Sequence, residues 1–301
     1  MKDSEFLESD FIHLNQVTKN YKDPASNIKF QALRGIDLTI SQGSITAIIG
    51  PSGAGKSTLL NILGGMTFPS TGSVTVDNML LNDLDDHGLD TYRRNVVGFL
   101  WQLPERNLLP NLTALENITF SMEVSGYPRQ ERITRAKELL KSVGLGNRMN
   151  HKLGQLSGGE AQRASLSVAL ANKPKVLLAD EPTGELDSET TMEIIDYLKQ
   201  LNADLGLTIV VVTHDNRFER LTHQSYNILD GSIAGLRRSR SKLDSTDWRT
   251  AEREEVAVVD QFGKVRIPSH LRQKYHFGRY IRFIEDTESG RVYIEGVEHE
   301  L

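Results

Sequence analysis

The sequence predicts an α/β protein, with a largely parallel sheet covered by helices on both faces and a smaller β-rich module after it. Three observations predict this class. Val176–Ala179 and Thr208–Val212 are uninterrupted apolar runs, as expected of central strands buried on both sides. Thr190–Leu205, between them, has the spacing of an amphipathic helix. Ser44–Gly50 is a third short apolar strand, and it runs into a glycine-rich turn and an apolar helix from Ser57 to Leu63.

The other elements follow in chain order. Residues 11–40 read as β structure, because Ile36, Leu38 and Ile40 alternate with Asp37 and Thr39. Further strands are expected at Gly72–Val76 and Val96–Leu100. Thr113 to Ala171 is mostly helical in pattern, with charges at i,i+4 spacing in Glu131–Lys141. Composition shifts after Gly231. Residues 11–232 therefore read as the main domain, 233–252 as a linker rich in Ser, Arg and Lys, and 253–301 as a separate module. Arg237, Arg238, Arg240 and Lys242 are expected to be solvated, or to lie against anionic lipid headgroups.

Bulk properties narrow the function classes. The 301 residues are 38% hydrophobic and 25% charged, the balance of an ordinary globular protein with room for a sizeable core. The absence of cysteine excludes disulfides and thiolate metal sites. A net charge of -5 gives no general bias toward nucleic acid or anionic lipid. Met1–Asp10 is acidic and polar, unlike a signal peptide. No apolar run reaches the roughly 18 residues that span a bilayer. Any membrane role is thus expected from the cytoplasmic side, through a partner.

Gly50-Pro51-Ser52-Gly53-Ala54-Gly55-Lys56-Ser57-Thr58 fits the phosphate-binding P-loop pattern, with a strand before it and a helix after it. Glycines let backbone N–H groups converge on a phosphate, and the helix N-terminus adds partial positive charge. Lys56 is expected to reach the β- and γ-phosphates, and the Ser57 hydroxyl to ligate Mg²⁺. Kinases, GTPases, helicases and transport motors all carry such a loop.

Val176-Leu177-Leu178-Ala179-Asp180-Glu181 ends a buried strand with two carboxylates. Asp180 suits indirect coordination of Mg²⁺ at the carboxyl end of a strand. Glu181 suits orienting or deprotonating the attacking water, and Pro182 and Gly184 hold the pair at a turn. His214 follows another buried strand, where an imidazole can contact a γ-phosphate.

Leu156-Ser157-Gly158-Gly159-Glu160, continued by Ala161-Gln162-Arg163, resembles the signature of the ABC (ATP-binding cassette) ATPases. With the P-loop, the acid pair and His214 in this order, the resemblance covers residues 11–232. It implies a RecA-like core with an antiparallel β subdomain and a helical signature subdomain. It also implies ATP and Mg²⁺ as ligands, and a homodimer in which Ser157, Gly158 and Gly159 of one copy meet the γ-phosphate held by the other. Tyr21 falls at the adenine-stacking position, with strand packing as its other reading. Gln102 falls at the glutamine that touches Mg²⁺ and couples to a membrane partner, and Asp187 in the loop crossing the dimer interface. Ala32–Ile36, Asn107–Pro110, Leu112–Asn117 and Leu178–Gly184 resemble the lipoprotein-release, macrolide-export and cell-division members. Those act on a transmembrane permease, which implies a subunit peripheral to the inner face of the cell membrane. The chain departs from that pattern in a longer Leu103–Arg106 loop and, mildly, in Glu185; Glu160, where many ABC families have glutamine, is tolerated in these members.

In the last segment, Gly263-Lys264-Val265-Arg266-Ile267-Pro268 leading into Leu271-Arg272 resembles the swapped-hairpin fold of AbrB-type regulators. The expected order is strand, glycine turn, strand, a short helix near Ser269, and strands at Tyr280–Ile284 and Arg291–Ile294. That resemblance implies dimerisation, a regulatory site or DNA binding. Residues 252–301 carry eight Lys/Arg against ten Asp/Glu, although six Lys/Arg and no acid lie between Gln261 and Ile284. Three functions are therefore weighed: a transporter motor, an ABC ATPase signalling without transport, and an ATP-controlled DNA-binding regulator.

Overall fold

Alternating apolar residues near the N-terminus form two long paired strands, β1 (Asp10–Lys22) and β2 (Lys29–Ser41). The computed structural model describes residues 10–22, 27–184, 186–222, 224–239, 253–259, 263, 265, 267–278, 281–286 and 290–296. Strand β3 (Ile45–Ile49) leads into α1 (Lys56–Leu63), then β4 (Thr71–Val76), β5 (Met79–Leu80), α2 (Asp86–Asn95) and β6 (Val97–Leu100). Helices α3 (Ala114–Val124), α4 (Arg129–Ser142) and α5 (Gly158–Ala169) follow. The core closes with β7 (Val176–Asp180), α6 (Ser188–Leu205), β8 (Thr208–Thr213), β9 (Gln224–Leu229) and β10 (Ser232–Ser239). Beyond it come β11 (Arg253–Ala257), α7 (Ser269–Lys274), β12 (Ile281–Asp286) and β13 (Arg291–Gly296).

Among the described residues the strands form three sheets. One is antiparallel, in the order β2-β1-β4-β5. The largest has the order β11-β10-β9-β3-β8-β7-β6, parallel from β9 to β6. The third is the β12–β13 hairpin.

The apolar runs are explained by burial on both faces of the large sheet. Leu177, Ala179, Ile209 and Val211 pack on one side with Leu166 of α5 and Ile194, Ile195 and Leu198 of α6. Val176, Leu178, Val210 and Val212 point the other way, onto Leu59, Leu60 and Leu63 of α1 and the apolar face of β1 and β2. Side chains alternate along a strand, so a strand in the middle must be apolar at every position.

The stretch from 233 read as linker is a strand as far as Ser239. β10 pairs antiparallel with β9, and β11 pairs with β10, so the main sheet continues past residue 232. Arg237 is no solvated connector, because its guanidinium meets both carboxylate oxygens of Glu219 at 2.8 and 2.9 Å. That bidentate pair, with Ile233 and Gly235 buried on the strand, overrides the polar composition. Arg240, Lys242 and Glu185 lie outside the described residues, as do Lys264, Arg266 and Arg279 of the basic run.

Candidate active site

The parallel pairing brings four loops to one edge of the sheet. Ile49 is level with Thr213, Val212 with Asp180, and Ala179 with Leu100. The P-loop, Glu181, His214 and Gln102 therefore leave the carboxyl ends of adjacent strands, where open α/β sheets hold ligands.

The P-loop arches from β3 to α1. Gly50 has no room for a side chain, since a Cβ would stand 2.2 Å from the Ile228 carbonyl oxygen. Gly55 has φ +101° and would press a Cβ to 2.6 Å from the Ala32 oxygen. Lys56 is buried and donates to the carbonyls of Gly50 at 2.8 Å and Pro51 at 3.1 Å. Its ammonium is also 3.5 Å from Glu181 Oε1. The Ser57 hydroxyl donates to Asp180 Oδ1 at 3.2 Å. Burial holds the Asp180 carboxyl above its ordinary range, against the Ser57 hydrogen bond and with the added repulsion of Glu181.

Glu181 adopts a left-handed backbone, φ +45°, which is uncommon for a residue with a side chain. Its N–H continues the ladder to the Val212 oxygen at 2.9 Å. Its Oε2 accepts from the Thr213 hydroxyl at 2.8 Å and the His214 N–H at 3.2 Å. His214 Nδ1 is 3.0 Å from the same oxygen.

Gly55, Lys56, Ser57, Asp180, Glu181 and His214 line a cleft of about 750 Å³ together with Pro51, Ser52, Gly53, Thr58 and Gln102, while Gly50 and Thr213 stand behind it. Ala54 is buried beneath the loop. Tyr21 is not among the lining residues; its ring stacks on Phe30 with centroids 5.5 Å apart. Phe30 does line the cleft, with Gln31 and Ala32. Phe30 and Thr213 escaped the sequence reading. The Tyr21↔Phe30 pairing that would have revealed the first exists only in the sheet register, whereas Thr213 was marked by its place just before His214.

The oxygen donors at the cleft, the Ser57 hydroxyl, the Asp180 carboxylate and the Gln102 amide, suit a hard cation. No cluster of three or more His, Cys, Asp or Glu fit to hold a metal occurs among the described residues. The Ser57 hydroxyl beside the Asp180 carboxylate fits Mg²⁺, which is commonly bound by one or two carboxylates plus substrate phosphates.

Ser157, Gly158, Gly159 and Asp187 stand outside the cleft. Ser157 caps α5 in a capping box: its Oγ accepts from the Glu160 N–H, and Glu160 Oε2 accepts from the Ser157 N–H. Glu160 also pairs with Arg148 at 2.9 Å. Asp187 caps α6, accepting from the N–H groups of Glu189 and Thr190 at 2.9 Å.

Residues 33–184 match the ABC transporter family. The chain belongs to that family. This ABC ATPase is 40% identical over 222 residues to the lipoprotein-releasing system ATP-binding protein LolD of Bacteroides fragilis, covering 74% of this chain and 99% of that protein. It is 42% identical over 266 residues to the macrolide export ATP-binding/permease protein MacB of Burkholderia lata, covering 88% of this chain and 38% of that protein. Among solved structures, it resembles the ATP-binding cassette MJ0796 in a dimeric post-hydrolysis state bound to ADP and Pi. The TM-score is 0.71 at 42% identity, covering 77% of this chain and all of that one. Family and fold together make this ABC ATPase an ATP-binding, ATP-hydrolysing subunit that works with Mg²⁺.

The subfamily motif residues have a structural job in this ABC ATPase. Asn107 bridges the Trp101 N–H at 2.9 Å and the Phe99 oxygen at 2.7 Å, closing the loop that carries Gln102. The Leu103–Arg106 stretch is a 3-10 turn over residues 104–106, with the Arg106 guanidinium 5.2 Å from the Trp101 ring centroid. Asn117 is buried and holds Leu109, Leu112 and Thr113 through four hydrogen bonds.

Proposed function

We propose that this chain is the motor of a transporter whose membrane-spanning permease is another polypeptide, a reading supported by its match to nearly the whole length of LolD and to the ATP-binding part of MacB. The observation that carries the reading is the cluster of Lys56, Ser57, Asp180, Glu181 and His214 at one sheet edge. The P-loop amides and Lys56 grip the β- and γ-phosphates. Ser57, Asp180 and Gln102 hold Mg²⁺, which when bound neutralises charge on the phosphate oxygens. Phe30 or Tyr21 stacks on the adenine. Glu181, oriented by Thr213 and by His214, takes the proton of the attacking water. His214 also senses the γ-phosphate.

Ser157–Gly159 and Asp187 serve the nucleotide of a second copy. Their placement outside the chain's own cleft supports that reading, and a helix N-terminus suits an anion. ATP then closes the homodimer and hydrolysis reopens it. The permease occupies a groove of about 470 Å³ near the Gln102 loop, between α2 and α3. Leu109, Phe120 and Val124 lie exposed along it beside Arg93 and Arg94. Such an apolar strip with a charged rim suits an amphipathic helix. No helix among the described residues is long and apolar enough to cross a membrane.

The expected boundary at 253 falls inside the main sheet, because β11 is hydrogen-bonded to β10. The segment after β11 is an AbrB-like module that pairs two copies. The helix at Ser269 and the β12–β13 hairpin support this. Phe283 and Tyr293 are 67% and 47% exposed, and a lone two-stranded hairpin is marginal in water.

The test is Glu181→Gln. ATP binding should persist, turnover should nearly vanish, and ATP should drive a dimer visible by size-exclusion chromatography. Normal turnover would remove Glu181 as the base, and a monomer under saturating ATP would remove the shared site.

A further inference from the structure

The first turns of α5 and α6 touch through Gly159 and Thr190. A Cβ on Gly159 would lie 2.6 Å from Thr190 Cγ2, closer than carbon atoms approach. Thr190 is not free to turn away, since its Oγ1 donates to Asp187 Oδ2 at 2.8 Å. One turn further on, Arg163 and Glu193 join the same two helices at 2.8 Å. Gly158 differs: a Cβ there would meet nothing within 4 Å. Of the two signature glycines, only Gly159 is held bare by its own chain.

We propose that Thr190 is a positioning residue that fixes the Asp187 loop against the signature helix. Its methyl sets the depth of Gly159 and its hydroxyl holds Asp187. Asp187 and Ser157–Gly159 come from different helices, and on the reading above both address the partner copy's nucleotide. They need a constant spacing, because a misplacement of about 1 Å costs about a hundredfold in rate. The Thr190 contact supplies that spacing within each copy, before the copies meet.

The experiment compares the full chain carrying Gly159→Ala, Thr190→Ser, both together, and Thr190→Val. It reads kcat and KM for ATP and the melting temperature. Serine keeps the hydroxyl for Asp187 and deletes the methyl, leaving Oγ1 at 3.6 Å from the new alanine carbon, an ordinary contact. Gly159→Ala should lower kcat by about tenfold or more with KM near wild type. Thr190→Ser should stay within about threefold of the wild-type kcat, and adding it to Gly159→Ala should restore the melting temperature that Gly159→Ala loses. Thr190→Val keeps the bulk and loses the hydroxyl, so kcat should fall with KM unchanged. A double variant that melts as low as Gly159→Ala overturns the proposal, and so does Thr190→Val at wild-type kcat. The shared-site reading is judged separately, by ATP-driven dimerisation of Glu181→Gln with residues 159 and 190 intact.

Discussion

His214 Nδ1 and Glu181 Oε2 lie 3.0 Å apart, though 33 residues separate them in sequence. The parallel β7–β8 register brings them together, and the Thr213 hydroxyl donates to the same carboxylate oxygen at 2.8 Å. Glu181 is thus aimed by its neighbours on β8.

Thr213→Val should expose that dependence. A hydrogen bond to a charged group contributes about 1.5–3 kcal/mol. If that is spent on aiming Glu181, turnover should fall about tenfold to a hundredfold. KM for ATP should hold, because Thr213 does not line the phosphate cleft. Steady-state ATPase assays read both values.

Lys56→Ala should act on binding itself. The ammonium is the buried cation of the cleft mouth, between two P-loop carbonyls and Glu181. Its loss should weaken ATP affinity at least about tenfold, the scale of one charge-assisted contact. Calorimetric titration of the variant with ATP and Mg²⁺ checks this.

Acid should loosen the start of the signature helix. The Glu160 carboxyl lies below its ordinary range, first because it accepts from the Ser157 N–H and then because Arg148 pairs with it. A carboxyl depressed on folding stabilises the fold above its ordinary value of about 4.3, and that contribution is lost as pH falls through the folded value. The melting temperature of Glu160→Gln should therefore fall less steeply than wild type below about pH 4.5.

Asn117→Ala should cost stability rather than chemistry. Its amide makes four hydrogen bonds to the 109–113 loop and is buried. The Leu109 and Thr113 oxygens keep backbone donors, but taking the amide from the Leu109 N–H and the Leu112 oxygen should cost about 1–3 kcal/mol, read as a lower denaturation midpoint at unchanged slope. Turnover per folded molecule should change little.

The central strands and the phosphate loop were legible because each carries a strong local signal. Val176–Ala179 must be apolar throughout, and Gly50 and Gly55 have no space for a side chain. Helix α2 left little trace, since only Leu89 and Tyr92 of its ten residues are buried. Strand β10 was hidden by Arg237, whose charge says nothing of a Glu219 waiting on another element. Phe30 escaped for the same reason: its neighbour Tyr21 is set by sheet register. Pairings across elements are a property of the folded chain, and no window of sequence holds both halves.

The pairing of β10 with β9 decides where the molecule can be shortened. Cutting at residue 232 would strip a hydrogen-bonded neighbour from β9 and leave bare N–H and C=O groups, an invitation to aggregate. It would also take from Glu219 the Arg237 guanidinium that its two oxygens accept from. A trimmed version meant for crystals or assays should keep everything through Ala257.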